Sequence, residues 1–116
     1  PFDMLFGTDE KFLTGLRLGC RGAVGSSYNF AANIYHQILK AHEAGDLEVA
    51  EAWQGRSIQV IRIIAAHGYL PAAKVVMRML GVDCGPARPP LVNLSEGAKA
   101  TLQNELKEIG FFDWIK

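Results

Sequence analysis

Apolar residues follow two rhythms along this chain. Phe2–Gly7 (FDMLFG) is a short apolar run closed by glycine, and Cys20–Ser26 (CRGAVGS) is a second run built from small residues. Neither alternates cleanly between apolar and polar, so both are expected as buried parallel strands covered on both faces. Between them a helix is expected from Asp9 to about Leu18. Asp9 would cap it, Glu10 would complement its dipole, Phe12, Leu13 and Leu16 would face inward, and Gly19 would stop it.

After Ser26 the spacing changes to three and four. Ala31, Ile34, Ile38 and His42 recur on one face of a helix over Asn29–Ala44, ended by Gly45. Asp46 is expected to cap a helix from Leu47 to about His67, striped by Val49, Trp53, Val60 and Ile64. Gly55 inside it costs about 1 kcal/mol against Ala, and a close helix contact is expected there. Gly68 stops this helix, and Pro71 is expected at the first position of the next, which runs to Leu80. Gly85–Leu91 (GPARPPL) cannot be helical, since three prolines remove donors and fix φ. Ser95 is expected to cap a last helix to about Ile109, with Ala98, Leu102 and Leu106 inward and Gly110 at its end. The tail bearing Phe111, Phe112 and Trp114 is too apolar to float free.

The opening is therefore strand–helix–strand–helix. Two parallel strands do not make a stable sheet by themselves, so neighbours beyond these residues are expected.

Composition narrows the class. The chain has 116 residues, 49% of them hydrophobic and 21% charged, which excludes disorder. Lys and Arg number 12, as do Asp and Glu. No concentrated basic face offers itself to a nucleic acid or a membrane surface, and no apolar stretch nears the ~20 residues that span a bilayer. No charged-then-apolar leader opens the chain. Cys20 and Cys84 stand far apart without a partner at ligand spacing, which implies neither zinc nor a disulfide framework. The expected setting is cytoplasmic.

The residues with chemical potential lie where each expected strand turns into a helix: Gly7-Thr8-Asp9-Glu10 and Gly25-Ser26-Ser27-Tyr28-Asn29. In parallel α/β folds that edge holds the ligand. Adjacent carboxylates accept hydrogen bonds from vicinal hydroxyls, a Ser hydroxyl donates and accepts, and Gly admits a ligand close to the backbone. This inventory suits a polyol or sugar. Residue types alone also allow Asp9-Glu10 to be an ordinary helix start and Ser27 or Asn29 an ordinary cap. The series Gly19-x-x-Gly22-x-x-Gly25 matches neither a dinucleotide fingerprint nor a P-loop. A phosphate at the helix start after Ser26 is a further option, although no Lys or Arg stands at that turn.

The segment FGTDEKFLTGLRLGCRGAVGSSYN, with the pattern G-x-D-E, a helix, then G-x-x-G-x-x-G-S-x-Y-N, resembles the dihydrodipicolinate synthase/N-acetylneuraminate lyase family. The helical remainder, the AGD turn at Ala44–Asp46 and the GPARPPL connection resemble the family's C-terminal region, so the likeness covers essentially the whole chain. Asp-Glu after the first run and Gly-Ser-x-Tyr-Asn at the second favour the sialic acid aldolase branch over the synthase branch.

The resemblance implies an α/β fold: the C-terminal part of a (β/α)8 TIM barrel. Residues 1–45 would form its last two βα units and residues 46–116 a C-terminal helical extension. It implies a class I aldolase that cleaves N-acetylneuraminate reversibly to N-acetylmannosamine and pyruvate through a Schiff base, without metal or cofactor. Gly7, Asp9, Glu10 and Ser26 match positions that hold the hydroxylated tail of the sugar acid. The Schiff-base Lys and its Tyr partner would lie upstream of Pro1, since a barrel takes about 250 residues, and the initial Pro in place of Met fits a truncation. The segment alone would then be inactive. The family is commonly homotetrameric. The alternatives are a related pyruvate-dependent aldolase or synthase, and a non-catalytic helical segment held by a partner.

No lysine of this chain is expected at a strand end. Tyr28 and Tyr35 are expected as packing residues rather than proton relays, Cys20 as a buried small hydrophobe, and the Trp53–Ile64 stripe as helix packing. His36, His42 and His67 lack the spacing of a metal site.

Overall fold

The two apolar runs meet in parallel but do not grow into strands. In the computed structural model, which describes residues 2–116, the Phe6 amide donates to Gly22 O at 3.0 Å and the Val24 amide to Phe6 O at 2.9 Å. These bonds form one parallel bridge, Phe6 to Ala23. The strands expected over Phe2–Gly7 and Cys20–Ser26 are thereby corrected to extended segments joined at a single point. A ladder needs a paired strand along its whole length, and among the described residues these segments pair only at Phe6 and Ala23.

Local signals account for most of the helices. A 3-10 turn, Asp9–Lys11, leads into α1, Phe12–Arg17. Phe12, Leu13 and Leu16 are buried as expected, and Gly19 takes φ 89° beyond the helix end. Asp9 does not cap this helix: Thr8 holds the position before the turn, and Asp9 lies inside the turn with its side chain buried. Helix α2 spans Tyr28–Glu43, with Ala31 off helical geometry at φ −131° and ψ 24°. It packs on α1 through Phe12 and Tyr35, whose ring centroids are 5.6 Å apart. Ala31, Ile34 and Ile38 are buried, whereas His42 is half-buried.

Helix α3 spans Leu47–Ala66. Asp46 caps it as expected, its Oδ1 accepting from the Val49 amide at 3.1 Å. The expected stripe holds in the second half of the helix, at Val60 and Ile64, and is shifted by one residue in the first half. Val49 is exposed and Trp53 half-buried, while Ala50, Gln54, Ser57, Val60, Ile61 and Ile64 are buried. Two polar side chains thus stand where an apolar face was expected. No close contact accounts for Gly55, since a Cβ there would meet nothing within 4 Å.

The chain divides into two compact units, residues 1–58 with Ile115, and residues 59–114 with Lys116. In the second unit α4 spans Tyr69–Met79, α5 spans Glu96–Glu108 and α6 spans Phe111–Trp114. Pro71 is the third residue of α4 rather than the first. Its missing amide is still one of the first-turn donors that have no partner within a helix. The Ser95 hydroxyl caps α5 by accepting from the Ala98 amide at 3.1 Å, and Leu102, Leu106 and Phe111 are fully buried. The proline-rich connection is non-helical, as expected, and Asn93 holds it by accepting from the Ala87 amide at 2.8 Å and donating to Ala87 O at 3.1 Å. His67 Nε2 lies 2.6 Å from Glu105 Oε2. Among the described residues, no single helix is long and apolar enough to cross a membrane.

Candidate functional site

The parallel bridge sets the ends of the two extended segments side by side, and the turns that follow them are tied by Asp9. Its Oδ2 accepts from the Ser27 amide at 3.1 Å and from the Ser27 hydroxyl in a very short bond. Ser27 stands at the N-cap position of α2 but makes no side-chain cap bond there. The Asp9 carboxylate therefore terminates a helix other than its own, placing negative charge at the positive end of α2. Gly25 is what permits the approach: a Cβ at that position would overlap the carboxylate, with 2.6 Å to Oδ2.

The bonding continues inward. Ser27 Oγ is 2.6 Å from the Tyr35 hydroxyl, which is 2.9 Å from Ser57 Oγ. Gln54 Nε2 donates to Ser57 Oγ at 3.3 Å and to the Asp9 carbonyl at 3.1 Å. Gln54 Oε1 accepts from the Leu13 amide at 2.8 Å. Asp9, Ser27, Tyr35, Gln54 and Ser57 are all buried. Buried polar groups need such partners, because each unsatisfied one costs about 1–3 kcal/mol.

The four residues singled out from the sequence divide into two kinds. Gly7, Glu10 and Ser26 are exposed on the two turns, whereas Asp9 is buried beneath them. Ser26 is fixed locally, its carbonyl accepting from Asn29 Nδ2 at 3.0 Å. Asn29 thus steadies the turn from within α2 instead of capping the helix.

Tyr28 and Tyr35 pack edge to face with ring centroids 4.4 Å apart, and both meet Phe12. Burial, with the Asp9 and Tyr35 groups nearby, pushes the Tyr28 hydroxyl well above the ordinary phenol range. It keeps its proton at neutral pH. Tyr35 packs as expected and also bonds, which was not expected. A cavity of about 280 Å3 lies beside the tyrosines, with Leu16, Ala23, Ala32 and Leu39 in its wall. None of Gly7, Asp9, Glu10 and Ser26 lines it.

Sequence reasoning missed Tyr35, Gln54 and Ser57 as partners of the turns. A signal was present: Ala50, Gln54, Ser57, Ile61 and Ile64 recur at helical spacing, so two polar residues occupy a buried face. Cys20 is half-buried rather than fully buried. Lys11 stands in the 3-10 turn, Lys40, Lys74, Lys99 and Lys107 lie in helices, and Lys116 is terminal. Among the described residues, no group of three His, Cys, Asp or Glu side chains is placed to hold a metal ion.

A model of the dihydrodipicolinate synthetase family matches residues 1–109. The chain belongs to the dihydrodipicolinate synthetase family. Among its relatives, the N-acetylneuraminate lyase of Rattus norvegicus is 35% identical over 115 residues, which are 97% of this chain and 36% of that protein. The solved structure of Proteus mirabilis N-acetylneuraminate lyase is 34% identical and superposes with a TM-score of 0.89, covering 95% of this chain and 37% of that one. A Sulfolobus solfataricus 2-keto-3-deoxygluconate aldolase variant, 23% identical, shares the fold with a TM-score of 0.80. The chain thus spans about a third of the length of the dihydrodipicolinate synthetase family relatives it matches, and it reproduces that part of their fold.

Proposed function

We propose that this chain is the C-terminal part of an N-acetylneuraminate lyase, and that its two polar turns recognise the hydroxylated tail of the sugar acid. The junction of Asp9 with Ser27 carries this reading. It holds the turn bearing Gly7 and Glu10 beside the turn bearing Ser26, so an exposed carboxylate, a hydroxyl and an open backbone lie on adjoining segments. That combination suits a chain of neighbouring hydroxyls: Glu10 accepts, Ser26 donates or accepts, and Gly7 offers its backbone. Asp9, buried, supports both turns from below.

The exposed apolar side chains of the extended segments favour the same reading. Phe2 is 87% exposed and Met4 70% exposed, and parallel segments of this kind are covered on both faces in barrels. The remaining strands of the barrel would cover them. Those strands would also carry the Lys whose amine condenses with the keto carbon and releases water. As the carbon–carbon bond breaks, the hydroxyl that becomes the aldehyde of N-acetylmannosamine would give its proton to the Tyr partner and the iminium would take up the electron pair as an enamine; protonation of the enamine carbon and hydrolysis of the iminium then free pyruvate and the amine. A cytoplasmic homotetramer belongs to the same reading.

The test is release of pyruvate and N-acetylmannosamine from N-acetylneuraminate by the full-length protein that carries this chain. A protein that leaves N-acetylneuraminate intact but cleaves another 2-keto acid would be a related aldolase instead.

A further inference from the structure

Beneath the two turns the hydrogen bonds run in one direction. A carboxylate only accepts, so the Ser27 hydroxyl spends its proton on Asp9. Ser27 Oγ is then the acceptor for the Tyr35 hydroxyl 2.6 Å away. Tyr35 Oη in turn accepts from the Ser57 hydroxyl at 2.9 Å, and Ser57 Oγ accepts from Gln54 Nε2 at 3.3 Å. The second Gln54 amide hydrogen reaches the Asp9 carbonyl at 3.1 Å, which closes the circuit on the residue where it began. Along this path each hydroxyl both donates and accepts. Such chains polarise one another and strengthen as a unit in a low-dielectric interior.

The circuit joins four places in the fold: the Gly7–Glu10 turn through Asp9, the Gly25–Ser27 turn through Ser27, α2 through Tyr35 and α3 through Gln54 and Ser57. The backbones of the two turns link it to the exposed candidate residues Glu10 and Ser26. From this geometry we propose that Tyr35, Ser57 and Gln54 are positioning residues for sugar-acid selectivity. Acting through Ser27 and Asp9, they hold the turn bearing Glu10 and the turn bearing Ser26 at the separation a hydroxylated tail requires. The proposal rests on the tail-recognition reading above and deepens it by naming what sets the geometry of that site. A displacement of about 1 Å in positioning groups is enough to change rates or affinities greatly.

The experiment uses the full-length protein. Tyr35→Phe removes the bridging hydroxyl and keeps the aromatic packing on Phe12 and Tyr28, while Ser57→Ala breaks the circuit one step further in. Either change is expected to raise KM for N-acetylneuraminate about five- to twentyfold, leaving kcat and the half-saturation of pyruvate in borohydride trapping within about twofold. The double variant is expected to match the single variants, because one circuit is broken once. Ser57→Thr retains a hydroxyl and is expected to restore KM to within about twofold of the unmutated value.

An unchanged KM in both variants overturns the proposal, as does a Ser57→Thr variant as impaired as Ser57→Ala. Parallel loss of pyruvate trapping and sugar-acid affinity would also overturn it, since that is the mark of general unfolding. Should Tyr35→Phe not fold, the comparison of Ser57→Ala with Ser57→Thr gives the answer. An unmutated protein inert toward N-acetylneuraminate sinks the tail-recognition reading itself. Normal cleavage with indifferent variants sinks the circuit alone.

Discussion

The carboxylate of Asp9 occupies the space that a side chain at Gly25 would need, and a Cβ there would come within 2.6 Å of Oδ2 and closer still to Oδ1. Gly25→Ala is therefore expected to force Asp9 away from Ser27, leaving a buried amide and hydroxyl unpaired. The expected loss is about 2–4 kcal/mol of stability, measured by denaturant unfolding of the full-length protein. Gly7→Ala is the control, since a Cβ at Gly7 meets nothing within 4 Å. Equal stability of the two variants would show that the Asp9–Ser27 junction contributes nothing.

The two adjacent acids should separate by measurement. Glu10 is exposed, so Glu10→Ala is expected to leave stability within about 0.5 kcal/mol. The same change should raise KM for N-acetylneuraminate about tenfold or more, the loss of one bond to a charged acceptor. Asp9 is buried, so Asp9→Ala is expected to raise KM and to cost about 2–4 kcal/mol of stability as well. Both variants should still trap pyruvate with borohydride, and abolished trapping in both would overturn the assignment of these residues to the sugar tail.

None of the six lysines stands at the end of an extended segment on the parallel pair. Lys74 donates to Cys84 O at 3.0 Å and Lys99 pairs with Glu96 at 2.6 Å. Incubation of this 116-residue chain with pyruvate and borohydride is expected to give no covalent adduct by intact mass. A labelled lysine here would contradict the placement of the Schiff base outside this segment.

The Gly85 amide and then the Arg78 guanidinium hold the Asp83 carboxyl below its ordinary value, through bonds of 2.9 and 2.8 Å. A depressed folded-state pKa means a stabilising contribution present above the unfolded value and lost as pH falls through the folded one. Asp83→Asn is accordingly expected to be less stable than the unmutated protein at about pH 7 and equal to it at about pH 2. The group is exposed, so the gap at neutral pH should be small and should narrow further with salt. A gap that persists in acid would assign the difference to something other than this carboxylate.

Much of the helical fold was legible because its signals are local. Asp46 and Ser95 cap the helices they precede, and Phe12, Leu16, Ile34, Ile38, Leu102 and Leu106 are buried where their spacing puts them. Failures came where a neighbour decided. Asp9 has the sequence context of an N-cap, but a partner 18 residues away captures its carboxylate. Gln54 and Ser57 look like surface residues of α3 until Asp9, Leu13 and Tyr35 are set beside them. Val49 belongs to an apolar stripe by spacing alone and is exposed, because in the first half of α3 the buried face runs through Ala50 and Gln54, one residue away.

The sequence by itself determined the long helices, the Asp46 and Ser95 caps, the glycine stops and the family, since these reside in residue spacing and in contiguous motifs such as GTDE and GSSYN. Only the tertiary structure decided that two extended segments touch at a single parallel bridge, and that the acid after the first terminates the helix after the second. It alone joined Tyr35, Gln54 and Ser57 to the turns. The physical reason is the reach of the interactions. Capping and periodicity act within a turn or two of chain, whereas the buried bonds beneath the site link residues up to 45 positions apart, and they exist only once packing has excluded water.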